Sequence, residues 1–554
     1  MRSFARAFIV ALALPAAAAG LSAGGPPSAV PSNPDDRTIL HVLNRIGFGA
    51  RPGDVERVRQ VGLSAYIDQQ LHPDRIADAQ MAARLAGLPT LSLNSRTIAQ
   101  DYYVPAQMAR RQAQLANKNA GSDPTAGDPA KQSRTPEEME MARKQREVIA
   151  ELTEQKILRA AYSDRQLEEV MTDFWFNHFN VFAGKGPTRE YLTEYERDAI
   201  RPHVLGKFRD VLEATAKSPA MLFYLDNWQS ADPNAPDPRT QRMGGAGGGF
   251  FGGPGRNGRF GARFPPPMPR PPQNANQNPN AQRQKRGLNE NYGRELMELH
   301  TLGVDGGYTQ DDVINVARAF TGWTIEQPRQ GGGFRFEPRL HDNREKIVLG
   351  HRIKGGGGES DGEQVLDILA KHPSTARFVS TKLVRRFVSD TPSPALVDRA
   401  AKRFMETDGD IREVVRTILT SPEFFSAEAY RAKVKTPFEF VISAIRATNT
   451  EVSDALPLVQ AVRQLGMPLY MCQPPTGYAD RADAWVNTGA LLNRMNFALQ
   501  LVSGRMRGIT PGTGQVGAVL ANDISTATAS TIAKAGDPKQ VAALTLGSPE
   551  FQRR

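Results

Sequence analysis

The sequence predicts a helix-dominated fold, all-α or nearly so: one large multi-helix domain with at most a small β-hairpin and a long disordered insertion. Outside glycine- and proline-rich stretches, apolar residues recur mostly at the three- and four-residue spacing of helices. Strand signals are limited to Phe334 to Phe336 and Lys346 to Leu349, which are predicted to pair as a hairpin around His341 and Asp342. Nothing in the pattern alternates strands with helices, as α/β domains do.

The N-terminal residues have the pattern of an export signal. Arg2 and Arg6 precede an apolar run from Ala7 to Ala19, and small residues suited to cleavage follow as far as Ala23. Residues 1–23 are therefore predicted to be a signal peptide, and the protein to be periplasmic or secreted. No later segment reaches the roughly 20 apolar residues of a membrane span, so we expect no transmembrane segment in the mature chain.

The cysteine content excludes two classes of stabilising site. Cys472 is the single cysteine of the chain, so no intramolecular disulfide can form even in an oxidising compartment. Cysteine-based zinc and iron–sulfur sites are excluded for the same reason. The fold must therefore be held by its apolar core, which a chain of 554 residues is long enough to build.

The positive charge is concentrated in one stretch of the chain. The formal net charge of the chain is +10. Nine basic residues and no acidic residue lie between Pro238 and Gly287, and two more basic residues lie in the predicted signal peptide. Without these eleven residues the remaining chain has a net charge of −1. Such a body offers no general basic face for phosphates, so nucleic-acid binding is not expected.

The same stretch divides the chain. Residues 236–287 are rich in glycine, proline, asparagine and glutamine and have few aliphatic side chains to bury, which predicts a disordered, basic insertion. On either side, residues 36–230 and 288–554 are predicted to form the N-terminal and C-terminal helical parts of the same domain.

Two helices can be placed with their ends. Apolar side chains from Leu167 to His178 follow one helical stripe, with Asp164 as the predicted N-cap. A second helix is predicted to begin at Thr309, where Thr309 and Asp312 form a capping box, and to end before Gly322.

His178 is one of eight histidines and lies in the aromatic sequence FWFNHFNVF. One interpretation is a metal ligand or general base, enclosed by aromatic rings that exclude water and tune its pKa. The other is a core histidine whose ring is satisfied by a backbone carbonyl. The sequence leaves both open.

The segment NENYGRELMELHTLG, from Asn289 to Gly303, has an unusual density of reactive side chains. At about 100° per residue, Glu295 and Glu298 are about 60° apart on a helix and share a face, whereas Glu298 and His300 are about 160° apart. Unless the helix distorts, His300 therefore faces away from the carboxylate pair. Salt bridges with Arg294 that pack the helix explain the same residues equally well.

A divalent metal ion is one option for the carboxylate pair, but the sequence identifies no cofactor. A further ligand would have to come from another element. The candidate metal ligands are Glu295, Glu298, His178, His341 and Asp342. The chain lacks the His-Glu-x-x-His motif of zinc proteases and the Glu-x-x-His motif of di-iron proteins.

Several longer segments resemble the bacterial DUF1800 family, a family of unknown function. They are HVLNRIGFGARPGDVERV from His41, DFWFNHFNVF around His178, IRPHVLGKFRDVLEATAKSPAMLFYLDN from Ile200, the segment from Asn289 to Trp323, HPSTARFVSTKLVRRFVSD from His372, and the QPPTGY loop with WVNTGALLNRMNFAL after it. The resemblance spans nearly the whole mature chain.

The resemblance implies an exported, largely helical protein without an established activity, and a partnership with an exported sulfatase-like protein of the DUF1501 type. The leading hypothesis is a metal-assisted or acid/base enzyme acting on an envelope or extracellular substrate. Its candidate catalytic residues are His178, Arg294, Glu295, Glu298 and His300. The alternative is a non-catalytic scaffold or accessory protein that binds the sulfatase-like partner, with the same polar residues locking helices together.

Overall fold

The computed structural model describes residues 28–119, 136–235, 287–512, 516–520 and 523–554. The predicted signal peptide, residues 1–23, lies outside these ranges, as does the predicted disordered insertion except for Gly287. The boundaries of the two helical parts stay predictions.

Helices account for most of the described chain, which confirms the predicted helix-dominated fold. The α-helices, labelled in chain order, are α1 Asp36–Ile46, α2 Asp54–Val61, α3 Leu63–Leu71, α4 Ala79–Leu85, α5 Ser95–Ile98, α6 Val104–Asn119, α7 Pro136–Tyr162, α8 Gln166–His178, α9 Thr188–Glu194, α10 Phe208–Lys217, α11 Pro219–Tyr224, α12 Glu290–Glu295, α13 Gln310–Ala319, α14 Glu359–Ala370, α15 Pro373–Phe387, α16 Pro394–Glu406, α17 Ile411–Leu419, α18 Pro437–Ala447, α19 Leu456–Gln464, α20 Thr488–Val502, α21 Thr526–Ile532 and α22 Pro538–Gly547. None of the helices in the described ranges is both long and apolar enough to cross a membrane.

Shorter and wider helical turns join these elements. Three segments are π-helical: Ala99–Tyr103, Tyr195–Ile200 and Leu296–Thr301. The 3₁₀ turns are Pro73–Arg75, Pro89–Ser92, Arg201–His203, Asn227–Gln229, Pro338–Leu340, Ala482–Ala484 and Val516–Leu520. π-Helical turns are rare and occur often at functional sites.

The strands of the described chain form three short antiparallel pairs. Their bounds are β1 Trp323–Ile325 with β2 Phe334–Phe336, β3 Lys346–Val348 with β4 His351–Ile353, and β5 Glu451–Val452 with β6 Ile509–Thr510. The predicted pairing of Phe334 to Phe336 with Lys346 to Leu349 is therefore wrong, because each of these strands pairs with a nearer neighbour in sequence. In β1 and β2, Trp323 lies opposite Phe336, and its ring packs edge-on against that of the diagonal neighbour Phe334, with 5.2 Å between centroids.

One large hydrophobic core extends through the described chain, beside a small cluster of Ile98, Tyr103 and Val148. It runs from Ile39 in α1 to Phe551 near the C-terminus and includes the fully buried rings of Trp175 and Trp323. Since a cluster of this kind normally defines one domain, the helices before and after residues 236–286 belong to the same structural unit.

The two helix ends predicted from sequence had different outcomes. At α13, the Thr309 hydroxyl accepts a hydrogen bond from Asp312 N at 3.2 Å, and Asp312 Oδ2 accepts one from Thr309 N at 2.8 Å, which confirms the capping box. At α8, the predicted N-cap Asp164 is wrong, because the helix begins at Gln166 after Arg165, whose own side chain makes no capping hydrogen bond. Gln70 instead approaches this end, where its Oε1 accepts a hydrogen bond from Leu167 N at 3.0 Å.

The burial of Glu190 in α9 can be tested through the pH dependence of stability. Glu190 is 2% exposed, and its Oε2 has no hydrogen-bond partner among the described atoms. Burial raises the pKa of Glu190 to about 8, against a weaker opposing effect of Arg189. The folded protein therefore holds this proton more tightly than the unfolded chain, and the stabilisation is complete below the unfolded pKa of about 4.3.

We expect the Glu190→Gln variant to gain stability relative to the wild type as the pH rises from about 4.5 to 8. Each pH unit in that window costs the wild type about 1.4 kcal/mol at most, because Glu190 must either stay protonated or be buried as an ion. Urea unfolding at several pH values measures the difference. The Glu56→Gln variant, which changes an exposed glutamate of α2, serves as the control. Parallel pH profiles for wild type and Glu190→Gln would contradict the prediction.

Candidate functional site

His178 ends α8 inside an aromatic enclosure. The residue is 2% exposed. Its ring lies 4.5 Å from that of Phe179, 5.3 Å from that of Trp175 and 6.3 Å from that of Phe174, measured between centroids. The spacing of Phe174 and Trp175 along the helix places both rings beside the histidine, as the sequence stripe predicted.

Both ring nitrogens of His178 have partners. Nε2 lies 3.0 Å from the backbone carbonyl of His300, and Nδ1 lies 2.8 Å from Nζ of Lys382. A carbonyl oxygen only accepts, so Nε2 must carry the hydrogen and donate it. Nδ1 then has a free lone pair and accepts a hydrogen bond from the Lys382 amine. The network therefore assigns one neutral tautomer.

The surroundings keep His178 in that neutral form. Burial lowers the pKa of His178 well below its ordinary value, and the nearby positive charge of Lys382 and the proximity of His300 lower it further. In this form the ring accepts a hydrogen bond from Lys382 and donates one to the His300 carbonyl.

Lys382 lies on α15, is only partly buried and lines a cavity. Burial lowers the pKa of Lys382 to about 8, and Arg385 one turn along the helix acts in the same direction, whereas Asp480 opposes it. Within the described ranges, no carboxylate lies within ion-pair distance of Nζ. The pKa of Lys382 is therefore closer to physiological pH than that of an ordinary lysine, which is about 10.4.

The cavity beside Lys382 has a volume of about 230 Å³. Its wall contains the rings of Phe174, His178 and Tyr478 and the apolar side chain of Met467. The cations on the same wall include Lys382 and Arg385. A cavity that combines apolar walls with a few convergent polar groups is the usual form of a small-molecule site.

The QPPTGY loop forms one wall of this cavity because it is bonded to α8. Asn177 Nδ2 donates to the Tyr478 carbonyl at 2.8 Å, and Asn177 Oδ1 accepts from Tyr478 N at 2.7 Å. Gly477 has a φ of +73°, and a Cβ there would collide with Asn177. Only glycine fits this left-handed, close-packed position without strain, so the loop is fixed next to His178.

The segment around Glu295 and Glu298 differs from the predicted helix. α12 ends at Glu295, and Leu296–Thr301 continues as a π-helix in which Leu302 N donates to Met297 O at 2.7 Å. Each turn thus holds more residues than an α-helical turn. The predicted angles, which assumed an unbroken α-helix, are therefore wrong for Glu298 and His300.

Two of the predicted catalytic residues, Arg294 and Glu298, form packing contacts. Glu298 accepts hydrogen bonds from the Tyr308 hydroxyl and, at 3.3 Å, from Arg294 Nη1. Arg294 also donates to Gln310 Oε1 at 2.7 Å, at the start of α13. These bonds connect α12, the π-helical segment and α13, as the salt-bridge interpretation predicted.

Glu295 has no hydrogen-bond or ion-pair partner among the described side chains. Burial raises the pKa of Glu295, and the neighbouring Glu298 raises it further, while Arg294 lowers it. The two carboxylates are therefore close enough to repel each other, as expected from their spacing.

His300 is buried next to His178, with 6.3 Å between ring centroids. Its Nε2 has no partner among the described atoms, and burial followed by the charge of Lys382 lowers its pKa to about 3. The backbone carbonyl of His300, and not its ring, is the group that binds His178.

The remaining predicted metal ligands are occupied elsewhere. His341 Nδ1 lies 2.8 Å from Thr321 O, and Nε2 lies 3.1 Å from Oδ2 of Asp361. Asp342 accepts hydrogen bonds from Arg318, at 2.8 Å, and from Arg344. Although burial acts in the opposite direction, these two guanidinium groups lower the pKa of Asp342.

The structure therefore does not assemble the five predicted metal ligands into one site. In the part of the chain that the structure describes, no group of three or more His, Cys, Asp or Glu side chains is arranged to hold a metal ion. His178 meets a backbone carbonyl and Lys382 in place of Glu295 or Glu298.

Sequence reasoning missed Lys382 and Arg385. The only local signal is the sequence KLVRR, which places three cations next to the buried Leu383 and Val384 on a helix. Cations at such spacing on one helix usually form an exposed face, and nothing in the sequence connects them with His178, 204 positions away.

The contrast between Glu298 and Glu295 generates a second prediction. We expect Glu298→Ala to lower the free energy of unfolding by about 1–2 kcal/mol, because it removes the hydrogen bonds to Tyr308 and Arg294. Glu295→Ala, only three positions away, should be neutral or stabilising because it removes an unpaired, partly buried carboxylate. Chemical denaturation of both variants measures the difference. Equal losses would contradict the assigned contacts.

Comparison with known proteins gives one match. The model of the family described as "Protein of unknown function (DUF1800)" matches residues 41–553. No curated protein and no solved structure matches the chain. Since the family model covers nearly the whole chain, including α8, α15 and the QPPTGY loop, the protein belongs to the DUF1800 family.

Proposed function

We propose that the protein is an acid/base enzyme in which Lys382 accepts a proton from a small substrate bound in the adjacent cavity. The observation that carries the proposal is an amine with no carboxylate partner among the described residues, whose pKa is lowered to about 8 by burial, on the wall of a 230 Å³ cavity. General bases are most effective when their pKa lies near the working pH. An ordinary lysine, with a pKa of about 10.4, is almost entirely protonated there.

His178 supports this role by orienting the amine. When Lys382 is neutral, one N–H can donate to Nδ1 of His178 over 2.8 Å, which fixes the direction of the lone pair relative to the ring. The bond from His178 Nε2 to the His300 carbonyl prevents the ring from turning over. His178 is thus a positioning residue, and Lys382 is the catalytic one.

The acid/base form of the original hypothesis is better supported than the metal-assisted form. The described residues provide no group of three metal-ligating side chains, whereas the lysine, its orienting histidine and a cavity occur together. Location in the periplasm or outside the cell, and hence an envelope or extracellular substrate, is part of the proposal and rests on the signal-like residues 1–23.

One observation favours the alternative, a scaffold that binds a sulfatase-like partner of the DUF1501 type. Leu491, Leu492 and Leu499 on α20 are 43%, 61% and 47% exposed, and exposed apolar side chains on one helix suit a protein contact. Purification of the untagged complex from native envelopes, with the wild-type protein and with a Leu492→Glu variant, tests this function. A partner that the wild type retains and the variant loses favours the scaffold.

The lysine can be titrated directly. Reductive methylation with ¹³C-formaldehyde adds methyl labels to lysine amines, whose NMR shifts follow their protonation. We expect one resonance with a midpoint near pH 8 that is absent from the Lys382→Met variant and still present in Lys354→Met, which removes an exposed amine. A Lys382 midpoint above about 10, the range of an ordinary lysine, would overturn the proposal.

Activity provides the second readout. For any turnover found on a panel of esters, amides, phosphate esters, sulfate esters and 2-oxo acids, kcat/KM should rise with pH through about 8. Lys382→Met should lower it about 100- to 10,000-fold, the usual contribution of a general base. Lys382→Arg should be equally inactive because guanidinium does not lose its proton. Full activity in Lys382→Met, with Lys354→Met as the matched control, would assign the turnover to another group.

A further inference from the structure

Some of the charged side chains on the cavity wall form ion pairs and others do not. The two carboxylates there are already paired: Asp173 lies 2.7 Å from Lys156, and Asp480 lies 2.7 Å from Lys433. Two of the four cations on the wall are paired as well, Arg386 with Glu439 and Arg481 with Asp483. The cations that remain without an acidic partner are Lys382 and Arg385.

Arg385 is unusual among the partly buried arginines. No hydrogen bond or ion pair of its side chain occurs within the described ranges, and its Nε is shielded from solvent without an acceptor. Leaving a shielded guanidinium N–H unpaired is costly, so a group of this kind is stabilised by any acceptor that enters the cavity.

Lys382 and Arg385 act as a pair because they are three positions apart on α15 and so face the same side. Burial is the larger cause of the lowered pKa of Lys382, and the positive charge of Arg385 is the next largest. Two like charges held together next to a cavity form a preorganised site for an anion. A carboxylate or phosphate between them would relieve the repulsion and satisfy the unpaired N–H.

The rest of the wall indicates what the anion is attached to. Phe174, Tyr478 and the buried Met467 line the same cavity. A fully hydrated inorganic ion gains nothing from such side chains, whereas an aromatic or aliphatic body is removed from water against them.

We infer that the cavity binds an organic anion, with its carboxylate or phosphate group between Arg385 and Lys382 and its apolar body against Phe174, Met467 and Tyr478. The inference rests on the proposed function for its place in a reaction, since Lys382 is the same amine, and it assigns the substrate class. Arg385 is the residue that selects the anionic group.

Anion binding at this site should depend on pH in one direction. The titratable and charged groups that face Lys382 are His178, His300, Arg385 and Asp480. Burial lowers the pKa of both histidines, whereas the pKa of Lys382 is lowered to about 8, so we expect Lys382 to change its charge between pH 7 and 9. Anion binding should therefore weaken as the pH rises through about 8, and a bound anion should raise the pKa of Lys382 by the same coupling.

The test is calorimetric titration of the full chain with benzoate, with phenyl phosphate, and with benzamide as the uncharged isostere of benzoate. We expect benzoate or phenyl phosphate to bind at pH 6.5, to bind more weakly at pH 9.5, and benzamide not to bind. Which of the two anions binds more tightly decides between a carboxylate and a phosphate substrate.

Arg385→Met should weaken anion binding about tenfold to a hundredfold, the loss expected for one charge-assisted contact. The variant should fold, because Arg385 has no described partner to lose. Arg377→Met is the matched control: it lies on the same helix, its side chain is 59% exposed and it pairs with Asp398, so binding should be unchanged.

The outcomes separate the two proposals. Equal binding of benzoate and benzamide, no binding of either anion, or unchanged anion binding in Arg385→Met would each overturn the anion site, even if Lys382 titrates near pH 8. Anion binding that depends on Arg385 but not on pH, with Lys382 titrating above about 10, would support the anion site and overturn the acid/base function.

Discussion

The candidate site depends on one neutral histidine with a partner on each side of its ring. His178 donates through Nε2 to the His300 carbonyl and accepts through Nδ1 from Lys382. It thereby joins the end of α8, the π-helical segment Leu296–Thr301 and α15. A protonated ring would have no lone pair for Lys382 and would repel it, so the position of the amine depends on burial keeping His178 neutral.

Several buried charged groups elsewhere in the protein form ion pairs. Arg386 pairs with Glu439, Arg318 with Asp342, and Lys346 with Asp361 at 2.6 Å. Removing one member of such a pair leaves the other charge uncompensated, so these groups fix the packing of their elements. Among the described residues, Lys382 and Arg385 have no such partner, and both lie on the wall of a cavity. Cations without an ion pair beside a cavity are accessible to an anionic ligand, which is the basis of the proposed anion site.

The sequence was sufficient for features that depend on local patterns. The helix-dominated fold, the aromatic stripe that ends at His178 and the Thr309–Asp312 capping box are all set by residues within a few positions of each other. The salt-bridge interpretation of Arg294 and Glu298 was also available from their four-residue spacing.

The rest depends on interactions that sequence periodicity does not encode. The π-helical turn at Leu296–Thr301 depends on a hydrogen bond five residues back and looks like any α-helical pattern. The strands near residues 334 and 346 have apolar alternation but no signal for which partner each takes. Lys382 lies 204 positions from His178, and only the packing of α15 against α8 reveals that a lysine, and not a carboxylate or metal, completes the site.

The site requires a neutral His178 that is protonated at Nε2 and accepts a hydrogen bond at Nδ1 from Lys382. Long-range ¹H–¹⁵N correlation NMR on protein with ¹⁵N-labelled histidine measures the tautomer of each ring, and a His178→Asn sample assigns the signals. We expect the His178 pattern to be that of the Nε2–H tautomer and to stay unchanged between pH 5 and pH 9. A ring that becomes imidazolium near pH 6.5, the ordinary value for histidine, or that is protonated at Nδ1, would contradict it.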